Sequence, residues 1–230
     1  MNAVTQPKIP DYASARNNMV DGQLRPNKVY DERILGAMGG IAREMFVPFT
    51  MVGIAYIDED LQVAEGRYLL EPMVLARLLQ EVQIKPTDRA LDIAPTTGYS
   101  TAVMAAIAKE VTALECDPSL QQQATNNLKQ LKIDNAKIKL GPLNEGWKLG
   151  APYDVILING CADIVSDELF AQLAEGGRLV TVIRQKAPAA QIGEARLYEK
   201  IHGNISHRAL FDANVKLLPA FEAKPSFRFE

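Results

Sequence analysis

Cysteine is scarce: only Cys116 and Cys161 occur in 230 residues. Two thiols make no disulfide framework, and reduced cysteines of a cytosolic chain are the expectation. Histidine is equally rare. His202 and His207 lie five apart in late, strand-like sequence, weak candidates for a metal site, so no metal is expected. There is no basic run, and 25 Lys and Arg against 28 Asp and Glu leave a net charge of -3. That balance argues against a nucleic-acid surface. No apolar run is long enough to span a bilayer, and Met1 to Pro10 has neither the charged start nor the apolar centre of a secretory leader. A soluble cytoplasmic chain, with a frayed first segment, is therefore expected. Repeats and low-complexity tracts are missing. So is the G-x-G-x-x-G fingerprint, which disfavours a nicotinamide dehydrogenase.

What is present is ample core material, 47% apolar residues, enough for one large domain or a core with an extension. The chain is organised around Arg89-Ala90-Leu91-Asp92-Ile93-Ala94-Pro95-Thr96-Thr97-Gly98-Tyr99-Ser100. It reads as a buried strand, a tight turn and a helix start. The next strand, Glu110 to Leu114, ends in Glu115. An acidic residue about twenty positions after such a turn suits a ribose, whose vicinal hydroxyls donate to a carboxylate.

Around this stretch the pattern predicts helices over Met73–Val82, Tyr99–Ala108, Pro118–Leu131 and Ser166–Leu173. Strands are predicted at Arg89–Ile93, Glu110–Leu114, Ala136–Leu140, Tyr153–Ile158 and Arg178–Ile183. Such alternation implies a mostly parallel sheet with right-handed crossovers. Strand-like runs Ala195–His202 and Ile205–Leu210, joined by Gly203-Asn204, predict an antiparallel carboxyl-terminal edge. Before the regular region, Asp11 and Asp31 cap two amino-terminal helices. A long loop, Ala55 to Glu71, then carries the acidic run Asp58-Glu59-Asp60. The ligand of a doubly wound fold sits at the carboxyl ends of its strands. Asp92 to Gly98, Glu115 to Asp117, Gly141 to Leu143 and Asn159 to Cys161 should converge there.

At these residues the chain resembles the protein-L-isoaspartate O-methyltransferases, class I S-adenosylmethionine-dependent enzymes. The resemblance runs from about Met19 to Phe221. It rests on Gln23-Leu24, Arg43-Glu44-Met45-Phe46-Val47-Pro48, Ala55-Tyr56, Gly98-Tyr99-Ser100, Gly146-Trp147, Ala151-Pro152-Tyr153-Asp154 and Gly176 to Val180. It implies a three-layer α/β sandwich, doubly wound, with an amino-terminal helical extension. Residues 1–71 would form that extension and the substrate loop, and 72–230 the cofactor-binding core. It also implies S-adenosylmethionine as cofactor, held by Asp92, Ala94, Thr96, Gly98, Glu115, Gly141 and Leu143. The acceptor would be an isoaspartyl carboxylate of a protein or peptide, with no nucleic acid and no membrane involved.

The sequence departs from the family twice. The cofactor turn, acidic-x-Gly-x-Gly-x-Gly in the family, is Asp92-Ile93-Ala94-Pro95-Thr96-Thr97-Gly98 here. The added β-carbons and the lost proline donor imply weaker cofactor binding. The family's Gln-Thr-Ile-Ser-Gln-Pro aligns with Arg67-Tyr68-Leu69-Leu70-Glu71-Pro72, so Leu70 replaces the serine expected over the reacting groups. Arg67 could pair with the substrate carboxylate instead, or be a surface arginine. Asn159 lies where the family's strand meets the transferred methyl group, and could equally form an Asx turn. Cys161 reads as a free thiol and Trp147 as cover beside the crevice. Two rivals to the repair reading stand: a non-catalytic binding or regulatory module on the same fold, and a methyltransferase with another acceptor.

Overall fold

The computed structural model describes residues 11–185 and 192–223; the tail expected at Met1 to Pro10 lies outside them. Its centre is a seven-stranded sheet built from β3 (Arg89–Ile93), β4 (Glu110–Glu115), β5 (Ala136–Leu140), β6 (Tyr153–Ala162), β7 (Leu173–Arg184), β8 (Gly193–Ile201) and β9 (Asn204–Ala213). A separate two-stranded hairpin, β1 (Leu61–Ala64) and β2 (Arg67–Leu69), precedes it. The sheet order is β5-β4-β3-β6-β7-β8-β9. Pairs from β5 to β7 are parallel, and β7–β8 and β8–β9 antiparallel. The chain runs outward from β3 to β5 and then returns to place β6 on the other side of β3. That reversal opens a crevice at the carboxyl ends of β3 and β6.

Side chains alternate across the sheet as the two-residue strand period requires. On β6, Val155 and Leu157 join the larger buried cluster, and Ile156 and Ile158 the smaller one behind it. The larger cluster also takes Met19, Leu24, Ile34, Leu35 and Met38 from the amino-terminal helices α1 (Tyr12–Met19) and α2 (Glu32–Gly40) and the segment between them. One π-helical turn, Val20–Leu24, extends α1. Gln80 of α3 (Pro72–Glu81) ties this layer down: its amide donates to Lys28 O at 2.9 Å and accepts from Tyr30 N at 2.7 Å and Asp31 N at 3.0 Å.

The remaining helices are α4 (Tyr99–Ala105), α5 (Pro118–Gln130) and α6 (Asp167–Ala171). Asp117 caps α5 by accepting from Ser119 N at 2.7 Å and Leu120 N at 3.1 Å, with Pro118 preset in the first turn. Several boundaries differ from the sequence expectation. The Ala55–Glu71 loop contains the hairpin β1–β2, reversed at Gly66, where φ is 64°. The helix expected to reach Leu173 stops at Ala171, because Tyr153 N donates to Gln172 O and draws β7 into register two residues later. The β8–β9 turn is His202-Gly203, both with positive φ, one residue before the pair read from sequence. Among the described residues no helix is long and apolar enough to cross a membrane.

Candidate functional site

The turn after β3 keeps a glycine-like path without most of the glycines. Ala94, Thr96 and Gly98 have φ of 66°, 54° and 95°. A non-glycine residue in this region costs roughly 1–2 kcal/mol, so the turn holds strain at two positions. Backbone bonds offset it: Ala94 N donates to Leu114 O and Gly98 N to Pro95 O, both at 2.9 Å. The third glycine is retained where space is least. A Cβ at Gly98 would stand 3.1 Å from the Cβ of Ala124.

The amino-terminal region clamps this turn from above. Thr97 Oγ1 donates to Phe46 O at 2.6 Å, and Phe46 packs edge-on against Tyr99 at 5.3 Å between ring centroids. Arg43 is completely buried. Its Nε donates to Ala55 O at 2.7 Å and its Nη2 to Leu70 O at 2.8 Å, while its guanidinium lies 4.9 Å from the Tyr99 ring centre. The sequence reading placed Arg43 in a family motif without seeing this role. Its neighbours are brought in by chain segments far apart.

At the carboxyl ends of β3 and β6 lies a buried polar chain. Ser100 Oγ and Thr101 Oγ1 each donate to Asp92 Oδ2 at 2.7 Å. Asn159 Nδ2 donates to Ser100 Oγ, also at 2.7 Å. Asp92 Oδ1 and Asn159 Oδ1 are buried acceptors with no donor among the described residues. Ser100 was read only as part of the helix start and of a family motif, and Thr101 was not singled out; their position in the first turn of α4, facing the strand end, was the available signal.

Burial pushes the Asp92 carboxyl up from 3.8 to about 6, against the lowering hydrogen bonds of Ser100 and Thr101. The folded state thus binds this proton more tightly than the unfolded chain. The resulting stability is complete below the unfolded value and is lost as pH rises through about 6. Asp92→Asn cannot ionise. Its stability relative to wild type should therefore grow by about 1–3 kcal/mol between pH 4 and pH 8, as read by urea denaturation. A constant difference would contradict a buried, reluctantly ionised carboxyl.

Glu115 ends β4 fully buried. Its Oε1 accepts from Arg67 Nη1 at 2.5 Å, Cys116 N at 2.8 Å and Asp117 N at 3.1 Å. Its Oε2 accepts from Arg67 Nη2 at 2.7 Å and Thr96 N at 3.1 Å. Arg67 is therefore not a surface arginine: it is 6% exposed and, in this structure, forked onto Glu115. Leu70 also departs from expectation. At 1% exposure it belongs to the main core cluster, so it does not stand over the crevice where the aligned serine was expected. Leu70→Ser should cost about 2–4 kcal/mol of stability through the lost apolar contacts and a buried hydroxyl. A thermal shift of less than about one degree would place Leu70 outside the core.

The other singled-out residues fall as follows. Gly141 N donates to Glu115 O at 2.9 Å, and Leu143, 2% exposed, joins Ala94 in the smaller core cluster. Trp147 lines a cavity of about 480 Å³ on the β4–β5 face with Arg89, Lys109 and Lys139. Asp60 Oδ1 accepts from Glu71 N at 2.9 Å and Asp58 Oδ1 from Met73 N at 3.3 Å. The acidic run thus anchors the start of α3. Cys161 is buried, and desolvation pushes its thiol up to about 11, a poor nucleophile. His207 stacks on Tyr198 at 5.4 Å, while His202 sits in the β8–β9 turn.

A family model described as protein-L-isoaspartate(D-aspartate) O-methyltransferase (PCMT) matches residues 14–216. The chain belongs to this family. It is 37% identical over 174 residues to a protein-L-isoaspartate O-methyltransferase of Koribacter versatilis, covering 76% of this chain and 78% of that one. It is 33% identical over 210 residues to that of Opitutus terrae, covering 91% and 88%. A solved protein-L-isoaspartate O-methyltransferase superposes with a TM-score of 0.76 at 26% identity, over 88% of this chain; the chain spans 65% of that protein's length. A putative PCMT from Plasmodium falciparum, solved with S-adenosyl-L-homocysteine, gives the same TM-score of 0.76 at 23% identity, over 92% of this chain and 100% of that one. Within the PCMT family the observed sheet, with its antiparallel β8 and β9, is thus the class I methyltransferase fold.

Proposed function

We propose that this protein is an S-adenosylmethionine-dependent methyltransferase acting on the carboxylate of isoaspartyl residues in proteins, a cytoplasmic repair activity. The observation that supports it most is the buried Asp92–Ser100–Asn159 chain at the switch point of a PCMT-family fold. Its two acceptors without a donor among the described residues, Asp92 Oδ1 and Asn159 Oδ1, fit a ligand that presents an ammonium group and a polarised methyl there. Glu115 has the chemistry for the ribose, provided Arg67 leaves it. Ala94, Thr96, Gly98, Gly141 and Leu143 would form the remaining walls.

When bound, the cofactor supplies an electrophilic methyl group. The protein's part is to bind, orient and exclude water, since the transfer needs positioning more than acid–base work. The names of the relatives favour transfer over a non-catalytic module. Calorimetric titration with S-adenosylhomocysteine tests the cofactor half of the reading. Saturable binding to wild type is expected, weakened roughly 10-fold to 100-fold in Asp92→Ala by the loss of a charge-assisted contact. No binding to wild type at millimolar ligand would contradict the assignment.

A further inference from the structure

The carboxylate best suited to hold a ribose is already saturated. Among the described residues five donors converge on Glu115: two from the Arg67 guanidinium and three backbone N–H groups. The three backbone donors come from the turn and the β4–α5 connection, which build the site. Arg67 alone comes from outside, 48 positions earlier in the chain, on a hairpin that pairs with no strand of the main sheet. It sits beside the glycine of a two-residue reversal, Glu65-Gly66, with Glu65 exposed to solvent. Two and three positions on, Leu69 and Leu70 are buried in the core. Any displacement is thus confined to the hairpin tip and the arginine side chain and does not involve the whole loop.

We infer that Arg67 is a cofactor-gating residue: its guanidinium occupies the ribose position of the crevice, and the cofactor binds only by exchanging with it on Glu115. The inference rests on the methyltransferase reading above. A planar fork on a carboxylate and a ribose diol on the same carboxylate are alternatives, because both need the same two oxygens. Apparent cofactor affinity is then the intrinsic affinity reduced by the fraction of molecules with the gate open. The exchange also frees a guanidinium at the mouth of the crevice each time a cofactor enters.

The test is titration of the full-length protein with S-adenosylhomocysteine, in wild type, Arg67→Ala and Arg67→Met. Methionine keeps the apolar stem, so a loss of folding in one variant does not leave the question open. Removing the gate should tighten binding by about tenfold or more. In wild type, the ligand should also raise amide hydrogen exchange across residues 63–68. Equal, measurable affinities in the three proteins would overturn the gate and leave the methyltransferase reading standing. Weaker binding in both variants would show Arg67 holding the ligand, and would also overturn it. Absence of binding in all three would remove the cofactor reading and the gate with it.

Discussion

Glu115→Ala is expected to lower the free energy of unfolding by about 3–5 kcal/mol, the cost of stranding a buried ionic partner. The arginine left behind is 6% exposed. Among the described residues its Nε has no partner, so the substitution would leave the guanidinium only the long Nη1 contact of 3.6 Å to Cys116 Sγ. Three backbone N–H groups, of Thr96, Cys116 and Asp117, would lose theirs as well. Glu115→Gln should cost less, because its amide oxygen can still accept from part of this set. Urea denaturation of the two variants checks the order. A loss below about 1 kcal/mol in Glu115→Ala would mean that Arg67 finds water easily and the pair is not a buried one.

Arg43→Ala should be nearly as severe, at about 3–5 kcal/mol. Two buried carbonyls, Ala55 O and Leu70 O, would lose their charged donor. The void would open beneath Tyr99, the first residue of α4, next to the cofactor turn. Burial lowers the Arg43 pKa, yet guanidinium remains charged throughout the working range and must be held by these oxygens and the ring. Arg43→Lys should retain the charge and lose the two-armed span, giving an intermediate value. If Arg43→Ala unfolded at the wild-type denaturant midpoint, the clamp on the turn would have to come from Phe46 and Thr97 alone.

The burial of Arg43 and the Arg67 fork on Glu115 mark where sequence reading stops. The strands β3 and β4 were legible to within a residue because buried parallel strands are short apolar runs between turns, and edge strand β5 because Ala136-Lys137-Ile138-Lys139-Leu140 alternates apolar and charged residues. The α3 and α5 starts were legible because Pro72 and Pro118 sit in first turns and Asp117 supplies a cap. The left-handed path of Ala94 and Thr96 was not legible. Local preference opposes it, and tertiary hydrogen bonds to Leu114 and Glu115 impose it. The hairpin β1–β2 was missed because three-residue and four-residue strands carry almost no periodic signal. Missing it hid the geometry that carries Arg67 to Glu115. Leu70 was aligned with a substrate-loop serine, but such an alignment says nothing about which way a side chain points. Asp92 and Asn159 were named from the fold's strand-end logic and the family resemblance; Ser100 was read only within a motif, and its role in joining them appears only in the fold.

The most direct measurement is methyl transfer from labelled S-adenosylmethionine to an isoaspartyl peptide, set beside the same peptide with a normal aspartyl linkage. The account predicts a base-labile methyl ester on the isoaspartyl peptide, none on its isomer, and loss of that product in Asp92→Ala. Absence of ester from the isoaspartyl peptide at saturating cofactor, or equal labelling of both peptides, would contradict it.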